Sequence, residues 1–159
     1  MQEKTFIPID AKTAKSKAEA YCAYQERSQY EVRGKLISLG MRYQELEEII
    51  LHLIETNFLN EERFAKAYAQ GKLRAKGWGR NKIKQGLMFK QVSGPLIKKA
   101  LQHLDEDEYL EILKEVIERR EKIITEKVAY QRNYKLTSYA LSRGFEQDLI
   151  CFVLKEKGL

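Results

Sequence analysis

The sequence has no run approaching the ~20 consecutive apolar residues that cross a bilayer. Its opening, MQEKTFIPIDAKTAKSK, lacks the apolar core of a secretory signal. Both absences predict a cytoplasmic chain. Cysteine is scarce: Cys22 and Cys151 are the only two and stand far apart, so thiols are expected rather than a disulfide. Two prolines and nine glycines in 159 residues are too few for a collagen-like or disordered segment. His52 and His103 are the only histidines, each alone within a helical pattern. There is no HExxH, CxxC, GxxxxGK[ST] or Cys/His cluster. No catalytic residue, metal ligand or cofactor is therefore expected, and the chain does not read as an enzyme. The acidic run Asp105–Glu108 falls at a helix start, where the helix dipole alone accounts for carboxylates.

The most informative absence is local. Between Glu62 and Asp105 there is no acidic residue, while the same 42 residues hold eleven lysines and arginines. Residues 1–62 carry a net −3 and residues 105–159 a net −2, so the formal +6 of the chain is +11 in its middle. Solvated faces normally mix both signs, as residues 111–126 do. An unmixed positive field attracts polyanions or acidic protein surfaces. Arg63, Lys66, Lys72, Arg74, Lys76, Arg80, Lys82 and Lys84 are the candidate contacts, together with Trp78. Trp78 reads either as a core anchor or as a ring that stacks at an interface. Gly77-Trp78-Gly79 reads as a helix C-cap and tight turn rather than a phosphate loop.

What is present elsewhere is helical periodicity. Residues 1–15 read as an N-terminal arm, interrupted at Pro8 and Asp10, with Phe6, Ile7 and Ile9 able to dock. A first helix is predicted from Ser16 to about Arg27, with Ala18, Tyr21, Cys22 and Gln25 on one face. Ser28 with Glu31 is a capping box; it starts a helix carrying Val32, Leu36 and Leu39 that stops at Gly40. Tyr43–Thr56 follows, with Leu46, Ile49, Ile50, Leu53 and Ile54 at 3, 4 and 7 spacing. Asn60 with Glu61 and Glu62 marks the next N-terminus; Phe64, Ala67, Tyr68, Gly71 and Ala75 are the expected core side of that helix. Later helices are predicted around Ile83 and Leu87, from Ser93-Gly94-Pro95 to Leu104, from Asp105 to about Lys127, from Tyr130 to Arg143 and from Glu146 to Lys157.

These nine helices fall into three sets of three. Aligning Gly40, Gln91 and Gly144 brings Leu36, Leu87 and Ala140 into register four residues earlier. Leu46, Ile97 and Ile150 align six residues on, and Ile49, Ala100 and Val153 nine on. A small repeat of this kind buries its core by stacking on neighbours. The expected fold is all-α: three tandem three-helix repeats, 16–59, 60–104 (basic) and 105–159, forming an elongated, curved molecule.

Arg27-Ser28 with Glu31, Lys35, Leu36 and Gly40 resembles the R-x-x-S-x-x-E-L-x-x-K-L-x-x-x-G opening of RecX regulatory proteins, slightly compressed. Phe58-Leu59-Asn60-Glu61-Glu62-Arg63-Phe64-Ala65, then Tyr68, Gly77-x-Gly79, Ile83 and Leu87, is similar to that family's central segment. The resemblance covers about residues 16–157. Two positions depart from it: Arg80 stands where many members have Pro, and Val32 where many have Leu. The resemblance implies a non-catalytic regulator that binds the RecA–DNA filament in its groove, limits strand exchange and ATP hydrolysis, and so modulates recombinational repair. A curved three-repeat molecule touching successive protomers would gain avidity. The alternative is a sequence-independent DNA-binding protein of helix-turn-helix-like repeats. Expected partners are therefore the RecA filament and, weakly and salt-sensitively, DNA alone; a monomer is the default.

Overall fold

The structure, a computed structural model, describes residues 9–158. Among them are nine α-helices, one π-turn and no strand. The helices are α1 Ala11–Tyr24, α2 Gln29–Ser38, α3 Tyr43–Glu55, α4 Glu61–Gly71, α5 Arg80–Phe89, α6 Gly94–Gln102, α7 Glu106–Glu121, α8 Ala129–Ser142 and α9 Gln147–Glu156. The π-turn, Lys72–Lys76, directly follows α4. No helix among the described residues is long and apolar enough to cross a membrane. The described chain divides into two compact units. One reaches to Phe64 and includes Lys90–Val92; the other comprises Ala65–Phe89 and the residues from Ser93 onward.

The first unit holds α1, α2 and α3 around Ala14, Ala18, Val32, Leu36, Leu46, Ile49, Ile50 and Leu53, all buried. Helix α1 starts at Ala11, not Ser16. The Asp10 carboxylate accepts from the Thr13 N–H at 2.8 Å, so the residue expected to interrupt an arm is the N-cap that begins a helix. That helix ends at Tyr24, and Gln25 is exposed beyond it. Phe6 and Ile7 lie outside the described residues; Ile9 packs against this core. The Ser28–Glu31 capping box forms as its sequence requires: Glu31 N–H donates to Ser28 Oγ at 3.1 Å and Ser28 N–H to the Glu31 carboxylate at 3.3 Å.

In the second unit Ile83, Leu87, Ile97, Leu113, Ile117, Leu136, Phe145 and Ile150 are buried. Two expectations fail here. Helix α7 ends at Glu121 rather than near Lys127; Ile123 N–H closes back on the Arg120 carbonyl in a tightened last turn and Ile123 is exposed. The buried side of α4 and the π-turn after it is Ala65, Ala69 and Leu73, while Ala67, Gly71 and Ala75 face solvent; Phe64, in the first unit, is buried as expected. Ala and Gly carry too little apolar surface to mark a face, and Leu73 anchors the other one.

The repeat alignment is built into the backbone. Gly40, Gln91 and Gly144 adopt left-handed φ values of 90°, 59° and 96°. Each is followed by a buried apolar residue, Met41, Val92 or Phe145. In the first and third copies that residue's N–H reaches back to Leu36 or Ala140, the 6→1 bond that closes a helix C-terminus.

Candidate polyanion interface

The acid-free segment begins on α4. Asn60 Oδ1 accepts from the Arg63 N–H at 2.9 Å, capping the helix. Arg63 itself is spent internally: its guanidinium donates to Glu26 at 2.9 Å, and to Asn57 Oδ1 and the Asn57 carbonyl, both at 2.9 Å. Glu61 likewise serves the fold, accepting from the Gln29 N–H at 2.9 Å. Arg27 of the opening motif lies 3.7 Å over the Tyr21 ring and donates to the Tyr21 carbonyl at 3.0 Å. These motif residues hold the first unit together.

The remaining candidates belong to the second unit. The π-turn ends at Gly77, left-handed at φ 63°, whose N–H reaches the Leu73 and Lys72 carbonyls. Trp78 N–H donates to the Lys72 carbonyl at 3.2 Å. This reversal brings Lys72 and Lys82 to one ring: each ammonium lies 4.9 Å from the Trp78 centroid. Lys72 is also 5.4 Å from the Tyr68 ring. Each such cation–π contact is worth ~0.5–1 kcal/mol when solvent-exposed. Trp78 is half-buried, so it is neither a core anchor nor a free ring; it gathers two cations.

Gly79 has a packing reason that spacing did not reveal. A Cβ there would stand 2.4 Å from both the Gly144 carbonyl carbon and the Phe145 nitrogen. The Gly79 N–H donates to the Arg143 carbonyl at 2.8 Å, and the Asn81 N–H to the Gly144 carbonyl at 3.0 Å. The Gly-Trp-Gly turn is therefore pinned backbone to backbone on the α8–α9 turn.

Two further arginines leave the candidate surface. Arg74 binds Glu108 through two nitrogens at 2.5 and 3.1 Å, which holds the Glu108 carboxyl below its ordinary range. Arg80 binds Glu146 at 2.8 Å and Glu106 at 2.6 Å. Carboxylates from α7 and the α8–α9 turn thus neutralise what looked like interface charge. Lys76 and Lys84 are exposed, Lys66, Lys72 and Lys82 half-buried. A second acid-free interval, residues 127–145 with Lys127, Arg132, Lys135 and Arg143, is visible by the same count. Among the described residues no group of three His, Cys, Asp or Glu side chains is placed to hold a metal ion.

Comparison with known proteins points one way. The family model described as RecX, second three-helix domain, matches residues 60–101, and that of RecX, third three-helix domain, matches residues 106–154. Regulatory protein RecX of Clostridium acetobutylicum is 30% identical over 152 residues, spanning 90% of this chain and 68% of that protein. Regulatory protein RecX of Clostridium perfringens is 31% identical over 124 residues, 77% of this chain but 58% of the relative's length. The crystal structure of RecX from Lactobacillus salivarius shares the fold, with a TM-score of 0.82 at 24% identity over 92% of this chain and 95% of that one. With two family domains matched in order and relatives at this level of identity, the chain belongs to the RecX family.

Proposed function

We propose that this protein is a non-catalytic, cytoplasmic regulator that acts as a monomer, binds the RecA–DNA filament in its groove and restrains strand exchange and ATP hydrolysis. Family membership supports the regulatory role. The contact reading rests on one observation: Lys72, Lys76, Lys82 and Lys84 form no ion pair with any described residue, and two of them converge on Trp78. The proposed interface is therefore narrower than the charge count suggests. It comprises these lysines with Lys66 and Trp78, while Arg63, in the first unit, and Arg74 and Arg80, in the second, are committed to carboxylates of their own units. We assign the three repeats to residues 11–59, 60–104 and 105–159, with the second presenting the contact surface.

Lysines are compact point charges, whereas reading base edges favours the planar fork of arginine. Their pairing with phosphate is sequence-blind. Four such contacts give a log K against log salt slope of about −3.6 on duplex DNA, which is weak, salt-sensitive binding. The decisive measurement compares affinity for bare duplex DNA and for RecA-coated DNA at physiological salt. Tighter binding to the coated form, with slower RecA ATP hydrolysis, is expected. Equal affinities remove the regulator reading and leave sequence-independent DNA binding, which the same lysine set would favour. Reversing Lys72, Lys76, Lys82 and Lys84 to Glu abolishes both bindings if the surface is correctly placed.

A further inference from the structure

Behind the π-turn the second unit carries a solvent-open cavity of about 140 Å³. Arg74 and Lys76 line it from the turn, Glu115 and Arg119 from α7, and Tyr139 and Arg143 from α8. Four cations thus converge on a space that a single carboxylate faces. We propose that this cavity binds one tetrahedral oxyanion, a phosphate group, through Arg143, Arg119 and Lys76. The proposal goes beyond the filament reading and does not depend on it.

The charge is uncompensated where it matters. Arg74 is committed to Glu108. Arg119 lies 3.9 Å from Glu115, and both side chains are mostly exposed, at 79% and 60%, so that pair is loose. Lys76 has no ion pair among the described residues. Arg143 donates from one terminal nitrogen to the Lys76 carbonyl and meets no carboxylate. Its Nε is buried and has no acceptor among the described residues, and a buried donor left without a partner is unfavourable. A cation near a helix C-terminus is ordinarily explained by the last carbonyls. That explains the terminal nitrogen on Lys76; it does not explain the idle Nε, nor why Lys76 and Arg119 face the same space.

Size and shape select the ligand. The volume is several times the ~30 Å³ share of one water and well below the ~300 Å³ at which pockets for larger ligands begin. A phosphate group fits this space. Phosphate supplies three acceptor oxygens and up to about two negative charges, matching the guanidinium and ammonium groups that line the space. The Lys76 carbonyl already fixes the Arg143 guanidinium, so little ordering is left for binding to impose.

The test uses the full chain and inorganic phosphate, read by thermal midpoint and by ³¹P line broadening, against sodium chloride at equal ionic strength. A saturable rise in midpoint with phosphate alone is expected. Arg119→Gln alters a largely exposed side chain and should fold normally, yet weaken phosphate ~10-fold, the loss of one charge-assisted contact. Arg143→Lys keeps the charge, loses the fork and weakens binding at least as much. Lys98→Gln, on exposed α6 surface outside the cavity, leaves it unchanged. Identical responses to phosphate and chloride overturn the proposal, as does equal weakening by Arg119→Gln and Lys98→Gln, which would mean diffuse charge. A duplex-competition arm identifies the source. Phosphate that displaces duplex from the wild type but not from Arg119→Gln marks a nucleic-acid backbone phosphate as occupant; saturable binding without displacement marks a free phosphate.

Discussion

The Arg80 guanidinium lies 3.9 Å from the centroid of the Tyr109 ring, and the Arg80 N–H donates to the Tyr109 hydroxyl at 3.0 Å. Tyr109 is fully buried and passes its own hydroxyl hydrogen to Glu146, which also takes a guanidinium hydrogen of Arg80. Burial, reinforced by the Glu146 bond, raises the Tyr109 phenol well above its ordinary value. A residue that reads as exposed charge is thus the centre of a closed network joining the N-terminus of α5 to α7 and the α8–α9 turn.

Arg80→Gln should therefore act on stability before it acts on binding. Removing one partner of a fully buried pair costs about 3–5 kcal/mol. The Arg80 and Glu146 side chains keep 18% and 28% exposure, so roughly 2–3 kcal/mol is expected, read as a lower urea midpoint. A midpoint unchanged within error would return Arg80 to the interface.

Three backbone substitutions should separate in sign. Gly79→Ala drives a methyl into backbone atoms 2.4 Å away and should cost more than about 2 kcal/mol. Gly71→Ala meets nothing within 4 Å at a helical φ of −63° and should stabilise by ~0.5–1 kcal/mol. Gln91→Gly relieves a left-handed φ of 59° and should stabilise by up to ~1 kcal/mol. Calorimetric midpoints of the three variants decide the ordering.

The two thiols should differ sharply. Cys22 is 6% exposed in the core and burial pushes its thiol up to about 11, whereas Cys151 is exposed. A thiol reagent at pH 8 should titrate one group quickly and the second only on unfolding. Two equally fast thiols would mean that α1 does not pack as described.

Acid should weaken the fold through a defined set of carboxyls. Hydrogen bonds from Arg33, Arg74 and Lys135 hold Glu47, Glu108 and Glu126 below their ordinary 4.5, and Thr13 holds Asp10 below 3.8. Unfolding restores the ordinary values, so the unfolded chain binds more protons. The stabilisation is complete above about pH 4.5 and is lost as pH falls through the depressed folded values. Denaturant midpoints should show no pH dependence from these groups between pH 6 and 8, where their contribution is fully present, and a decline below 4.5. Glu108→Gln should make that decline shallower. At the other extreme, the raised Cys22 thiol withdraws its contribution as pH climbs from 9 toward 11.

Legibility followed the range of each interaction. Ser28 and Asn60 were readable as N-caps because a cap bonds within three residues. The shared register of Gly40, Gln91 and Gly144 was readable because the helices around them repeat; their left-handed φ values belong to the structure. The buried side of α4 was not, since Ala67, Gly71 and Ala75 look as apolar as Ala65 and Ala69, and only packing of Leu73 chooses between them. Tyr109 does not read as a core residue, because its hydroxyl needs Glu146, 37 positions away, before it can be buried.

The amino-acid order alone determined an all-helical chain of repeated three-helix units with an acid-free middle, because caps, periodicity and charge counts depend on near neighbours. Which of those middle charges remain available was decided only by the tertiary structure. Arg80 and Glu146 are 66 residues apart in sequence, and nothing local foretells that folding will bring them within a hydrogen bond. Arg63, Arg74 and Arg80, able to form bidentate and stacked contacts, are consumed by the fold; Lys72 and Lys82 gather on Trp78 without an ion pair among the described residues.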